Sequence, residues 1–400
     1  MFQRDVSIED TASRLAVNRV VEPSTGPSPP RESPEYVRTS LAAAITLGLM
    51  PGRFYRNAKL YCLNLLLTYR EGCAGRCAYC GLSHTRTIAK PWDEYSFIRV
   101  EWPVVLLEDV ARRIESGFCS HVERVCVSMV TNGKAKNDTL KIVGVLSEKI
   151  EAVSALIAPT IVDKKWLGKL KHAGADKVGV AVDAATPELF ERLRGKGVGG
   201  PHKWNKYWRV VEESVEVFGR FNVGIHLIVG LGETEEEAVK TIQKAYDAGA
   251  LTHLFSFFPE ENSQLQDSLQ PPIGKYRRVQ LARFLINKGL ARVEDMTFDR
   301  VGRLTDFGIA EDLLNETVES GWPFMTSGCA GKSMDSACNR PFSNCTPYQA
   351  YLGELRNYPF QPNRDDVELI RRQLWDYSEE PVRVWMGEVA GELLNQRYRC

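Results

Sequence analysis

From Lys59 onward the chain alternates between short apolar, β-rich runs and longer stretches whose apolar residues recur every three to four positions. KLYCLNLLLTY is followed by the helix-like VVLLEDVARRIESG, VERVCVSMV by TLKIVGVLSEKIEA, and VSALIAP by KKWLGKLKHAGA. The alternation continues through KVGVAVDA, FNVGIHLIVG and LTHLFSFF, each with a helical partner, and ends with RVEDMTFD and WPFMTSG. These segments predict eight strands. Alternating β and α units imply a parallel sheet, so the reading is an α/β fold, a (β/α)8 TIM-type barrel, with an open doubly wound sheet as the alternative.

Successive side chains of a strand point to opposite faces, which gives each predicted strand one greasy and one polar side. Val125, Val127 and Met129 oppose Cys126 and Ser128; Val178, Val180 and Val182 oppose Gly179, Ala181 and Asp183; Ile225, Leu227 and Val229 oppose Gly224, His226 and Gly230. The greasy face must meet the helices. The polar, small face then lines the lumen, where a purely structural barrel would carry Val, Ile and Leu. His226 on that face is a candidate for contact with a substrate; a hydrogen-bonded interior histidine is the other reading.

The flanks read differently. EPSTGPSPPRESP, residues 22–34, excludes helix and central strand and makes residues 1–52 an N-terminal helical arm and linker, with the barrel over 53–330 and a C-terminal extension over 331–400. Lys plus Arg and Asp plus Glu both number 51, so no net field recruits nucleic acid or an anionic membrane. The opening MFQRDVSIEDTASRL has no secretory pattern, and SLAAAITLGLM is stopped by Pro51 and Gly52 before spanning length. The expected place is the cytoplasm, where clustered cysteines read as metal ligands or catalytic thiols rather than disulfides.

EGCAGRCAYCGLS brings Cys73, Cys77 and Cys80 together directly after the first predicted strand, at the rim where barrel sites form. Three thiolates suit a [4Fe–4S] cluster that leaves one iron open. A zinc site completed by His84 is the competing reading. With Tyr79 before the last cysteine, the C-x3-C-x2-C loop resembles the signature of the radical S-adenosylmethionine (SAM) superfamily. The resemblance implies that Cys73, Cys77 and Cys80 hold the cluster, that SAM chelates its open iron, and that reductive cleavage yields a 5′-deoxyadenosyl radical inside a dry lumen. By the same resemblance Tyr79 belongs to the cofactor loop, Asp183 holds the ribose, and Gly230 and Glu233 of IVGLGETEEE cradle the adenine. The glycine-rich motif usual after the second strand is missing, and SMVTNG stands there instead, with Ser128 or Asn132 as the expected contact of the methionine amino group. Asp183 as a cap of the helix TPELFERLR remains the alternative.

A second set, Cys329, Cys338 and Cys345 at C-x8-C-x6-C spacing, suggests an auxiliary iron–sulfur cluster across the lumen, with Cys126 and Cys62 able to join or replace Cys345; structural zinc or unrelated buried thiols are the alternatives. Cys119 and Cys400 look incidental. The blocks RFYRNAKLYCLNLLLTYREGCAGRCAYCGLS, SFIRVEWP and SGCAG…ACNRPFSN…RNYPFQP resemble the biotin-synthase-like group that includes the archaeal-type two-component lipoyl synthases. This implies sulfur insertion from the auxiliary cluster into an unactivated C–H position, with Cys329 and Cys338 in the catalytic set; His226 joins that set from its place on the polar lumen face. Implied partners are a small-molecule or acyl-lysine substrate on a carrier, a ferredoxin or flavodoxin reductant, and a second radical SAM protein. Another radical chemistry, a mutase or methylase with structural or electron-relaying extra cysteines, is the alternative.

Overall fold

The computed structural model describes residues 31–88, 96–97, 100–342 and 344–378, with the backbone alone for Ser96, Phe97 and Pro347. The expected arm before residue 31 and Cys400 lie outside the described residues. Strand β1 (Tyr36–Thr39) and helix α1 (Leu41–Thr46) precede β2 (Cys62–Leu67). A ribbon of β3 (Ser96–Phe97) and β4 (Val100–Glu101) leads through β5 (Val104–Leu106) into α2 (Leu107–Glu115). Regular units follow: β6 (Arg124–Ser128) with α3 (Ala135–Ser147), β7 (Val153–Ile157) with α4 (Lys164–His172), and β8 (Lys177–Asp183) with α5 (Pro187–Leu193) and α6 (Trp204–Phe218). Next come β9 (Val223–Val229) with α7 (Glu235–Asp247) and β10 (Leu251–Ser256) with α8 (Ile273–Asn287). The chain then runs through β11 (Thr297–Phe298), β12 (Leu304–Asp306), α9 (Glu311–Glu319), α10 (Pro347–Tyr351) and α11 (Arg364–Leu374).

Eight strands form one mostly parallel, barrel-like sheet in the order β10-β9-β8-β7-β6-β2-β1-β5. From β2 to β10 the neighbours are parallel, while β1 runs antiparallel to both β2 and β5. The predicted face assignment holds. Val125, Val127, Val178, Val180, Val182, Ile225, Leu227 and Val229 are all fully buried against the helices, each burial contributing roughly 1.5–3 kcal/mol.

The eight strands are not the eight that the pattern suggests. TF of RVEDMTFD pairs only with β12, and WPF of WPFMTSG is a 3-10 turn whose Met325 makes a single bridge to Tyr358. Pro323, which lacks an N–H, suits the turn and not a central ladder position. Their places are taken by β1 and β5, from segments too short for periodicity to reveal. β1 also draws residues 36–39 of the expected arm into the sheet.

The C-terminal segment spans from the β10 side to the β2 side. Ser327 Oγ accepts the Leu254 N–H at 2.8 Å, and Asn339 Oδ1 accepts the Tyr61 N–H at 2.9 Å while its amide donates to the Lys59 carbonyl at 2.8 Å. The residues after 330 therefore belong to the same body as the sheet, and residue 330 marks no physical boundary. Among the described residues no helix is long and apolar enough to cross a membrane.

A buried ion pair ties three helices together behind this sheet. Arg278 donates to both carboxylate oxygens of Glu235, at 2.7 and 2.9 Å, and to the carbonyls of Leu374 and Asp376 at 3.0 and 2.9 Å. Removing one member of such a pair strands the other charge. Arg278→Ala is expected to destabilise the fold by about 3–5 kcal/mol, read as a lower urea midpoint; an unchanged midpoint would show that the pair contributes nothing net.

Candidate functional site

The lumen holds a cavity of about 290 Å³, near the lower end of the roughly 300–1,000 Å³ of small-molecule sites. Tyr79, Cys80 and Asp183 border its mouth, and Cys126, Cys329 and Cys338 its floor. Trp102, Leu156, Ile228, Phe255, Phe257 and Phe258 supply apolar wall. The lumen-facing residues Asn64, Ser128, Gly179 and His226 all line it, as strand parity predicts.

The cysteine loop at the mouth is pinned from two sides, Ala74 N–H to the Thr131 carbonyl and Ala78 N–H to the Leu193 carbonyl, both at 2.8 Å. Gly75 N–H points at Cys73 Sγ (3.3 Å) and Leu82 N–H at Cys80 Sγ (3.4 Å), donors that favour thiolates. A side chain at Gly75 would press on Cys73 Sγ at 3.2 Å and on His202 Nε2 at 3.0 Å, which explains the glycine. Burial pushes the Cys77 thiol up to about 11 and raises Cys80 further, so both are neutral without a metal and give up protons only to one. Among the described residues no three Cys, His, Asp or Glu side chains converge on a point suited to a single metal ion; a cluster, with several irons and sulfides, fills a wider space between its thiolates. His84 is exposed and joins no such group with the cysteines of this loop.

Asp183 sits at a register shift at the end of β8 with φ of 64°, a strained left-handed conformation that swings its carboxylate into the mouth. Tyr79 OH donates to Asp183 Oδ2 at 2.6 Å and Arg194 Nη1 to the same oxygen at 2.8 Å. Arg194 also donates to the Val182 carbonyl (3.0 Å) and to Tyr207 OH (3.0 Å). The cap of α5 is Thr186, whose hydroxyl accepts the Leu189 N–H, so Asp183 is not needed there.

Gly230 and Glu233 turn out to serve the β9–α7 turn and do not line the cavity. Glu233 accepts from Gly230 N–H at 2.7 Å and Leu231 N–H at 2.9 Å and pairs with Lys275 at 3.0 Å, so its carboxylate is spent within the protein. Gly230 has φ of 110° and would bring a side chain within 2.6 Å of Pro271.

His226 faces the cavity with His253 beside it, ring centroids 5.7 Å apart, and Phe255 at 4.8 Å. Among the described residues neither imidazole makes a hydrogen bond. Burial lowers His226 to about 4 and holds His253 well below its ordinary value, so both are neutral at pH 7. A neutral ring offers one donor and one acceptor to a ligand.

At the floor, Cys62 and Cys126 come from paired strands and Cys329 and Cys338 from the closing segment, where the Cys338 N–H bonds the Cys329 carbonyl at 3.2 Å. Asn64 Nδ2 approaches Cys338 Sγ at 3.8 Å. Buried Arg124 braces this floor from β6, donating to the Ala330 carbonyl at 2.7 Å and bidentately to Asp176 at 2.6 Å. Cys345 does not join them: it is buried in the apolar core around Ala350, Leu355 and Tyr358, because the chain turns away into α10. Cys119, likewise buried, lies in the outer core.

Sequence reasoning missed His253, Arg194, Arg340 and Trp102. His253 was within reach, since it pairs with His226 across β9 and β10 and so shares its face. The two arginines stand on irregular loops, where no periodicity marks direction.

Residues 68–245 match the family model of the Radical SAM superfamily. No curated protein matches the chain. Among solved structures it is similar to HydG, a maturase of the [FeFe]-hydrogenase, at 14% identity, with 58% of this chain and 50% of that one covered and a TM-score of 0.44. It is also similar to the radical S-adenosylmethionine methyltransferase TsrM from Kitasatospora setae (17% identity, 62% and 43% covered, TM-score 0.36) and to Elp3 of the archaeon Methanocaldococcus infernus (13%, 53% and 58%, TM-score 0.37). The chain thus spans about half the length of these structures.

The floor thiols differ in acidity. A hydrogen bond from Cys62, with Asn64 and the positive charges of Arg124 and Arg340, holds Cys338 below the ordinary thiol value, whereas burial raises Cys126 and Cys329. In metal-free protein, iodoacetamide is therefore expected to label Cys338 first, at a rate rising with pH through neutrality. Mass spectrometry showing Cys126 or Cys329 labelled as fast would contradict this.

Proposed function

We propose that the protein, whose residues 68–245 match the Radical SAM superfamily model, is a radical SAM enzyme that inserts sulfur from an auxiliary iron–sulfur cluster at an unactivated C–H position, in lipoyl-type biosynthesis. The observation that carries this reading is two sets of thiols bordering one cavity. Cys80 opens onto its mouth and Cys126, Cys329 and Cys338 onto its floor. Strand β2 separates the ends: Cys62 begins it and the Cys73–Cys80 loop follows Leu67, five steps of about 3.3 Å away.

In this reading Cys73, Cys77 and Cys80 hold a [4Fe–4S] cluster, and Cys62, Cys126, Cys329 and Cys338 hold the auxiliary one, the first set one thiol short and the second complete. The bound cluster and SAM supply a carbon radical that removes hydrogen from the substrate. The chain supplies the rest. Asp183, fixed by Tyr79 and Arg194, presents its free oxygen to a ribose, Ser128 lies across the mouth for the methionine end, and the neutral His226 orients the acceptor. The aromatic wall excludes water, which a primary radical requires. A ferredoxin or flavodoxin donates electrons, and a second radical SAM protein treats the other carbon of an octanoyl chain borne on a lysine.

Two variants and one substrate test this. With iron–sulfur-reconstituted protein and octanoylated carrier peptide under anaerobic conditions, the product is expected to gain the mass of sulfur. Replacing Cys73, Cys77 and Cys80 by Ala abolishes 5′-deoxyadenosine; Cys329→Ala with Cys338→Ala preserves 5′-deoxyadenosine and abolishes sulfur transfer. Loss of both products, or of neither, in the second variant would remove the floor thiols from the reaction.

A further inference from the structure

Arg340 is the one Lys or Arg among the described residues lining the cavity. Its guanidinium lies over the Trp102 ring, 5.5 Å from the centroid, and among the described residues it has no hydrogen bond or ion pair. Arg340 is half-buried; the buried arginines behave differently: Arg124 holds Asp176 and Ala330, Arg194 holds Asp183, and Arg277 holds Gln373, Gln280 and Arg356. Five N–H donors facing a largely apolar chamber without an acceptor represent a large unmet demand. Stacking on Trp102 leaves the edge of the fork open, and that edge matches a carboxylate bidentately.

The carboxylates already in the chamber do not meet it. Asp183 is taken by Arg194 and Tyr79. Glu260 lines the same cavity, and neither a hydrogen bond nor an ion pair joins it to Arg340. Besides Trp102, which the guanidinium overlies, Phe257, Phe258 and Ile228 line the same cavity as apolar wall.

We propose that Arg340 binds an anionic carboxylate-type group of the acceptor, so that the substrate is an amphipathic acid whose aliphatic part lies along the aromatic wall. This rests on the cavity being the substrate site and on the sulfur-insertion chemistry read above, and it departs from that reading in the acceptor: a free acid takes the place of the octanoyl chain masked as an amide on lysine. Arg340 also stands two residues from Cys338, so simple charge balance for the floor thiols is the competing role.

The test uses iron–sulfur-reconstituted full-length protein, titrated calorimetrically with butanoate, octanoate, dodecanoate and octanamide. At least one acid is expected to bind more tightly than octanamide. Arg340→Met weakens the acid by roughly 10- to 150-fold, the loss of a hydrogen bond to a charged group, leaves octanamide unchanged and keeps its iron; Arg340→Lys recovers part of the loss. Equal binding of acid and amide, no acid binding to the native protein, or unchanged acid binding by Arg340→Met overturns the proposal. So does loss of iron by Arg340→Met, which assigns the residue to the cluster. The 5′-deoxyadenosine yield of native protein, measured in parallel, reports separately on the radical reading: its absence defeats that reading while acid binding still judges Arg340.

Discussion

Negative charge in a water-poor lumen is the constraint on which the rest of the structure depends. Thiols become ligands only as thiolates, and burial pushes the other way at Cys77 and Cys80 at the mouth and at Cys62, Cys126 and Cys329 at the floor. The fold answers with oriented N–H groups at the mouth and positive charge beneath the floor. Arg124 is 1% exposed, held by the exposed edge of Asp176 and by a backbone carbonyl, and so it delivers its charge to the floor at the cost of one surface-reaching partner. The same device recurs at Arg194, whose buried fork fixes the Asp183 carboxylate at a strained corner. In both places an arginine converts an irregular loop into a rigid wall.

This arrangement also explains why the sheet is finished as it is. A regular strand after β10 would offer alternating side chains and a continuous ladder; the segment from Met325 to Asn339 instead passes across as loop, bonding to β10 through Ser327 and to the approach to β2 through Asn339. It carries Cys329 and Cys338 to the paired strands that hold Cys62 and Cys126. The closing element and the thiol-bearing element are one piece of chain.

Much of this was legible in the residues. Period-two alternation gave β2 and β6 to β10 as strands and the correct faces of β6, β8 and β9, and from these Cys126, Ser128, Asp183 and His226 as lumen residues, because a buried sheet writes its two environments directly into alternate positions. C-x3-C-x2-C named the mouth loop. What failed was non-periodic: the short β1 and β5, the apparent strands around Thr297 and Met325, and Cys345, whose spacing resembled its neighbours although the chain turns it into the core. Glu233 misled for a related reason, since a carboxylate beside a glycine turn can serve the turn's own N–H groups as readily as a ligand. The arginines were invisible because a long side chain on a loop can reach in any direction.

The central claim is that one thiol set leaves a position open to SAM and the other does not. Electron paramagnetic resonance of the reduced, reconstituted protein with and without SAM tests it most directly. Two cluster signals are expected, of which one changes when SAM is added and the other stays as it was. A single signal, or two signals both indifferent to SAM, would contradict it.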